Sequence, residues 1–180
     1  MRVSYFVATG LLMLAAPASV LAACTPGTAT YDYPEQRLDQ ALQQFAHTSG
    51  CPVAVNTGAL GSTQANALDG QYTAADALIR LVRGSGFEVH LDNGQYRVNH
   101  ADAQALQRRI KTLTRDIDSV ADAQALSKTR EAALRKQLGA VWTSAQRLIR
   151  EQGFLSAAEK ASYNRTFAYI TGQLKAAVGR

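Results

Sequence analysis

Ala41-Leu42-Gln43-Gln44-Phe45-Ala46-His47-Thr48-Ser49-Gly50 and Ala77-Leu78-Ile79-Arg80-Leu81-Val82-Arg83-Gly84-Ser85-Gly86 carry one pattern twice, each matched position lying 36 residues further on (41 to 77, 50 to 86). In both copies apolar residues fall at i, i+1, i+4 and i+5, the spacing of one helical face, and a glycine follows where a helix accepts a left-handed residue as its stop. Each copy leads into an alternation of apolar residues, Val53 and Val55 after the first, and Phe87, Val89 and Leu91 after the second. Alternation is the period of a half-buried strand. The unit is therefore helix, glycine stop, strand, used twice. Neither copy can cover its apolar face alone, so the two share one small core.

Outward from this repeat, Ala29, Tyr31 and Tyr33 alternate with Thr30 and Asp32, which predicts a strand over Thr28 to Tyr33, ended by Pro34. Leu38, Ala41, Leu42, Phe45 and Ala46 form the stripe of the first helix. Gly50 stops it, and Cys51 to Asn56 reads as the second strand. Thr57 to Ser62 reads as loop by composition, and Ala65, Ala67 and Leu68 as a weak third strand closed by Asp69-Gly70. Thr73 with Asp76 three residues on is a capping-box-like start for the second helix, which carries Ala74, Ala77, Leu78, Leu81 and Val82. Phe87 to Leu91 and Tyr96 to Val98 read as strands around Asp92-Asn93-Gly94, and Asn-Gly suits a tight hairpin because both residues tolerate positive φ.

Tyr31-Asp32-Tyr33-Pro34-Glu35-Gln36-x-Leu38-x-x-Ala41-Leu42 resembles the opening of the short domain at the N-termini of secretins and TonB-dependent receptors. Leu68-Asp69-Gly70-Gln71-Tyr72-Thr73-Ala74-x-x-Ala77-Leu78-x-x-Leu81-x-x-x-Ser85-Gly86-Phe87 is similar to its second half, and the match covers about 70 residues, Ala29 to Val98. The resemblance implies two helices held between two small sheets. It also implies a periplasmic docking role: in transducing receptors this domain contacts an inner-membrane anti-sigma regulator, and in secretins it is the first periplasmic ring. No outer-membrane barrel and no secretin ring domain comes after it in this chain.

Residues 101–180 read as helical. Ala101-Asp102-Ala103-Gln104-Ala105-Leu106 recurs unchanged at Ala121-Asp122-Ala123-Gln124-Ala125-Leu126. Leu106, Ile110, Leu113, Ile117 and Val120 step as a heptad seam, which Leu134, Leu138, Val141, Ala145 and Leu148 resume. A break or turn is expected near Asp118 to Asp122, one bent long helix being the alternative. Gly153 ends this stretch. Ser156-Ala157-Ala158-Glu159 is a capping box for a last helix with the stripe Tyr163, Phe167, Ile170 and Leu174. The expected fold class is α+β: two β-α-β-type repeats with two helices between two small sheets, then an all-α region of two or three helices.

The 180 residues divide on this reading into a signal peptide at 1–23, a short-domain module at 24–100 and a basic helical hairpin or bundle at 101–180. Arg2, the apolar run Val3 to Ala16, Pro17 and Leu21-Ala22-Ala23 have the order of an export signal, too short and poorly flanked for a spanning helix. The expected address is the periplasm, or the periplasmic face of the outer membrane. The charge is uneven. Residues 24–100 hold four Lys and Arg against seven Asp and Glu, net −3, while residues 101–180 hold fourteen against seven, net +7. A basic helical surface suits nucleic acid in the cytosol, but an exported chain meets anionic lipid, cell-wall polymer or an acidic protein instead. Solvated outer faces of helices account for most such charge.

No catalytic set and no cofactor site is legible. His47 sits at a helix end, His90 alternates with Val89 and Leu91 and so reads as solvent-facing, and His100 reads as linker. No histidine pair has a metal-ligand spacing. Ser49 and Ser85 precede glycines at helix ends and read as turn chemistry. Trp142, the single tryptophan, reads as bundle packing rather than a sugar platform. Cys24 and Cys51 allow two exclusive readings. Leu21-Ala22-Ala23-Cys24 fits a lipobox, so Cys24 is a lipidation candidate. Thr25 after it matches the sorting of familiar lipoproteins to the outer membrane. In a strand-helix-strand unit, however, both strands start at one end, which brings Cys24, just before the first, to Cys51, at the start of the second. Export into an oxidising compartment favours the disulfide, and lipidation of Cys24 would strand Cys51 as an odd thiol.

The function expected from these residues is a non-enzymatic cell-envelope interaction module. Its partner would be an envelope protein: a secretin- or TonB-type transport or signalling assembly, or its regulator. No nucleic acid is expected, and membrane contact only through a lipid anchor. The alternative is an outer-membrane lipoprotein acting as an assembly or pilot factor through the basic helices. Because the repeat closes before Ala101, a fragment of residues 24–100 is expected to melt cooperatively by itself, with Leu42 and Leu78 central in its core. Leu42→Ala should cost it about 2–5 kcal/mol by leaving a cavity. A fragment without a cooperative melt would show that the helices complete a single core.

Overall fold

The structure is a computed structural model that describes Cys24 and residues 27–179; the signal-peptide reading of 1–23 lies outside the described residues. In chain order the elements are β1 (Thr28–Tyr33), β2 (Gln36–Arg37), α1 (Leu38–Ser49), β3 (Val53–Val55), α2 (Thr57–Leu60), β4 (Gln64–Ala65), β5 (Leu68–Thr73), α3 (Ala74–Val82), β6 (Glu88–Asp92), β7 (Gln95–Asn99), α4 (Ala101–Asp122), α5 (Lys128–Gln152) and α6 (Ala157–Val178). The α+β class and the helical C-terminal region are as the periodicity predicts.

The two repeat helices lie between small sheets. On one side β1 pairs antiparallel with β5, from Thr28 opposite Thr73 to Tyr33 opposite Leu68. On the other, β7 is the middle strand of a three-stranded sheet, parallel to β3 and antiparallel to β6. The two repeat strands, β3 and β6, thus flank β7 rather than each other. The expected pair of sheets becomes three, because β2 and β4 add a separate ladder with Gln36 opposite Ala65 and Arg37 opposite Gln64. Between the sheets, Leu38, Ala41, Leu42 and Phe45 of α1 and Ala77, Leu78, Leu81 and Val82 of α3 are buried with Tyr31 and Tyr96 in one apolar core. Aromatic contacts join its layers: Tyr31 stacks on Phe45 at 6.2 Å between centroids, and Tyr96 meets Phe45 edge-on at 6.2 Å.

Three local readings are corrected. Residues 57–60 are a short helix, not loop: the Asn56 side chain accepts the Gly58 N–H, and the turn buries Leu60. Asp69-Gly70 does not close a strand; β5 runs through it. Gly70 is there for space, since a Cβ at that position would meet the Tyr72 ring at 3.3–3.4 Å, and the Tyr72 hydroxyl donates to the Asp69 carbonyl. The second repeat helix ends at Val82, not at Gly86. Asn66, in the connection between β4 and β5, donates through its side-chain amide to the carbonyls of Arg80 and Arg83 and so finishes the helix early.

The bundle has its own apolar core. Leu106, Leu113, Ile117 and Val120 of α4 meet Leu134, Leu138, Val141, Ala145 and Ile149 of α5 and the α6 stripe Tyr163, Phe167, Ile170 and Leu174. Ile149 takes the buried place expected of Leu148, and Ile110 is only partly buried. The expected break near Asp118 to Asp122 falls slightly later. Helix α4 continues to Asp122, the turn is 123–127, and Ser127 caps α5 by accepting the Arg130 N–H. Arg135 ties the two helices by pairing with Asp118 of α4 and Glu131 of its own helix. The capping box at Ser156 and Glu159 forms as predicted.

Gly153 ends α5 in the left-handed region at φ 77°, and a Cβ there would sit 3.3 Å from the Val82 side chain and 3.5 Å from the Ile79 carbonyl. The corner between α5 and α6 is therefore pressed onto the end of α3. Gly153→Ala is expected to lower stability by about 1–2 kcal/mol through backbone strain alone. Urea unfolding measures it, and an unchanged midpoint would show that position 153 is not held in the left-handed region.

Candidate functional site at the junction of the sheet and the bundle

The first turn of any helix leaves four N–H groups without internal partners. In α4 the N-cap residue is His100, whose side chain does not cap it. The donors are satisfied from elsewhere. The Ala101 N–H donates to Asn99 Oδ1 at 2.8 Å, and the helix's own ladder begins with the Gln104 N–H on the His100 carbonyl at 2.9 Å. Two N–H groups between them go to one residue of β6: Asp102 N–H to Glu88 Oε2 and Ala103 N–H to Glu88 Oε1, both at 2.8 Å. Glu88 is 0% exposed. Its charge is met by the positive end of the helix and by two charge-assisted hydrogen bonds.

A second layer surrounds this carboxylate. His90 Nε2 lies 3.0 Å from Glu88 Oε2. Lys160 of α6 donates to Asp102 at 3.2 Å, so the third bundle helix is tied to the start of the first. His90 is thus not the solvent-facing residue that alternation suggests, and the reading fails at its neighbour too, since Leu91 is 63% exposed. The reason is that β6 is covered on both faces at its start: Phe87 and Val89 face the sheet core, while Glu88 and His90 face the bundle.

The junction also covers the start of a sheet edge. The Val89 N–H donates outward to the Gly153 carbonyl at 2.8 Å, and the Gly84 N–H to the Arg150 carbonyl at 2.9 Å. The free side of β6 is therefore occupied at Val89 by the chain's own helical corner. The other edge of the sheet is β3, which pairs only with β7 among the described residues. The Tyr96 N–H bonds the Pro52 carbonyl, which fixes the phase of this parallel ladder: Ala54 bonds inward to β7, and the N–H and C=O groups of Val53 and Val55 point to the open edge.

The two cysteines meet as the strand geometry suggests. Cys24 and Cys51 form a disulfide with 4.3 Å between Cα atoms, closing a separation of 27 residues. Cys51 is fully buried, and the sulfur that the lipidation alternative requires at Cys24 is in this bridge. On the chain-entropy estimate a loop of this size stabilises by about 3–4 kcal/mol. Just before Cys51, Ser49 Oγ donates to the Phe45 carbonyl and accepts the Cys51 N–H; Ser85 Oγ does the same for the Val82 carbonyl and the Phe87 N–H. Both serines are turn chemistry, as read.

Sequence reasoning missed the Glu88, His90 and Asp102 group, whose ligand-capable atoms lie within 4.8 Å of one another. Glu88 and His90 share one strand, but Asp102 is on the next helix. Only a buried Glu at a predicted strand start could have signalled it. These are the atoms that could hold a cation, but both Glu88 oxygens already accept helix N–H groups and Asp102 holds Lys160. The arrangement is a clasp with one imidazole at its rim. The hydrogen bond that His90 donates to Glu88 raises the His90 pKa above the ordinary 6.5, Asp102 and the Glu88 charge acting in the same direction, against burial and Lys160. A raised folded-state pKa contributes stability that is complete below the unfolded value and lost as pH rises through the folded one. On this account unfolding free energy is expected to fall as pH rises above the ordinary 6.5 and through the raised folded-state value, and His90→Gln, which keeps a donor but does not titrate, should flatten that slope. Equal slopes in the two proteins would remove His90 from the clasp.

No family model and no curated protein matches the chain. Among solved structures, it is similar to the ferripyoverdine receptor of the outer membrane of Pseudomonas aeruginosa bound to ferripyoverdine, with a TM-score of 0.39 and 23% identity over 41% of this chain and 10% of that one. The P. aeruginosa FpvA complexes with heterologous pyoverdines give the same figures, TM-score 0.39, 23%, 41% and 10%. The FpvAI–pyocin S2 complex gives a TM-score of 0.38 and 24% identity over 39% of this chain and 9% of that one. The chain thus spans about a tenth of the length of the receptors it matches.

Proposed function

We propose that the chain is a non-enzymatic cell-envelope interaction module whose sheet accepts an extended strand of a partner protein along β3. The partner class is a transport or signalling assembly of the TonB-dependent receptor or secretin type, or its regulator. The observation that carries this reading is the asymmetry of the three-stranded sheet: the start of β6 is covered at Val89 by Gly153, and β3 presents backbone groups of Val53 and Val55 that have no partner among the described residues. An open edge pairs with any strand offered to it, and main-chain hydrogen bonds then supply the affinity. The motif resemblance of residues 29–98 supplies the class of partner, and the disulfide agrees with an oxidising, extracytoplasmic setting.

Val55→Pro tests the mode directly. It removes an N–H from the open edge and leaves the ladder to β7 intact, a position where proline is tolerated. The variant is expected to keep the cooperative melt and to lose crosslinking to the envelope partner identified by mass spectrometry with the wild-type protein. Crosslinking undiminished in Val55→Pro would refute strand addition. Binding by main-chain pairing should also weaken only modestly with salt. A fall of orders of magnitude between low and high salt would move the contact to the basic helices.

A further inference from the structure

The junction that hides Glu88 leaves a cleft of about 350 Å³ on its other side, between α4, α5 and the turn before β6. Trp142 forms one wall, half-buried and belonging to neither apolar core. It sits between α4 and α5, at the edge of the bundle rather than in its core. Around it stand Gln104 and Gln107 of α4, Gln146 and Arg150 of α5, and His100. None of the three amides, nor the guanidinium or the indole N–H, makes a side-chain hydrogen bond or an ion pair among the described residues. His100 is held differently: its Nδ1–H donates to the Gly86 carbonyl at 3.0 Å and its ring stacks on Phe87 at 4.1 Å, leaving Nε2 unengaged.

We propose that this cleft binds a saccharide carrying a carboxylate. A flat indole face suits the C–H face of a pyranose ring, and a half-buried Trp is a large apolar surface with a polar tip. Planar amides offer both donors and acceptors, which is what neighbouring hydroxyl and acetamido groups need. Arg150 supplies a forked donor matched to a carboxylate, within a helical part of net charge +7. The volume lies in the lower part of the roughly 300–1,000 Å³ range of ligand pockets, and the place, between two packed units, is a common one. Gln104, Gln107, Gln146 and Arg150 line the cleft beside Trp142 with no protein hydrogen bond to their side chains among the described residues, which leaves them free to meet a ligand. The site is independent of the β3 edge.

The single tryptophan of the chain reports on the site. N-acetylmuramic acid and N-acetylglucosamine share a ring and differ by the lactyl carboxylate. Titration of the full chain with the first should give a saturable change in Trp142 emission in the millimolar range or below, and with the second a roughly tenfold weaker one. Arg150→Gln, whose backbone carbonyl still accepts the Gly84 N–H, should bring the two sugars within about twofold of each other. Trp142→Ala, followed by calorimetry and checked for fold by circular dichroism, should lose both. The double substitution Gln104→Ala, Gln107→Ala lies on exposed helix positions and should weaken both sugars while leaving the melt unchanged. The proposal is overturned if neither sugar gives a saturable change, if lactate alone reproduces the effect of N-acetylmuramic acid, or if Arg150→Gln preserves the wild-type preference.

Discussion

A carboxylate that is wholly buried must be met by donors, or its desolvation unfolds the region around it. Glu88 is such a group, and its two oxygens are met by the first free N–H groups of α4 and by His90. The geometry leaves little freedom. Two hydrogen bonds from successive N–H groups fix both the position and the direction of the helix axis relative to β6. The helix dipole adds to the attraction, and Lys160 then joins α6 to the same turn through Asp102. One side chain thus serves as the cap of a helix that lacks one of its own and as the reference point for the bundle.

Placing α4 in this way has two consequences for the surface. The α5–α6 corner falls against β6, where the Gly153 carbonyl takes the Val89 N–H, so the start of that edge is occupied within the chain. The opposite edge, β3, keeps the outward groups of both Val53 and Val55 without a partner among the described residues. The start of α4 and the end of α5 are both bonded to the turn before β6, through His100 on the Gly86 carbonyl and the Gly84 N–H on the Arg150 carbonyl, and the cleft at Trp142 lies beside these contacts. The edge and the cleft have different chemistry. One offers backbone groups, indifferent to the partner's sequence. The other offers side chains of defined polarity, which recognise a particular shape.

The internal repeat shows how far a shared pattern carries. Ser49 and Ser85 make equivalent hydrogen bonds, back to a helix carbonyl and forward from an N–H, so the signal for leaving the helix was preserved in both copies. The helices nevertheless end differently. The first runs to Ser49 and stops at Gly50, while the second stops at Val82, where the side chain of Asn66 takes two of its last carbonyls. The strands after them are alike in sequence but take opposite senses against β7. Local chemistry set the elements, and the partner strand set their use.

The hexapeptide Ala-Asp-Ala-Gln-Ala-Leu separates the two kinds of information most cleanly. At 101–106 it opens α4; at 121–126 it ends the same helix, with Gln124 at φ 56° and Leu126 buried in the bundle. The same residues cannot choose between these fates. At Asp102 and Ala103 a carboxylate from β6 meets the N–H groups; after Asp122 the chain turns through Gln124 and buries Leu126 before α5 begins. Short-range sequence did determine the periods of the helices, their stops at Gly50 and Gly153 and the Ser156–Glu159 cap, because each rests on neighbours in the chain; it left Cys24 between lipidation and a disulfide, and the fold joins it to Cys51. The role of Glu88, the covering of His90, the occupation of the β6 edge at Val89 and the exclusion of Trp142 from both cores rest on contacts between residues far apart in sequence. No local period encodes these, and they existed only once the sheet and the bundle had been brought together.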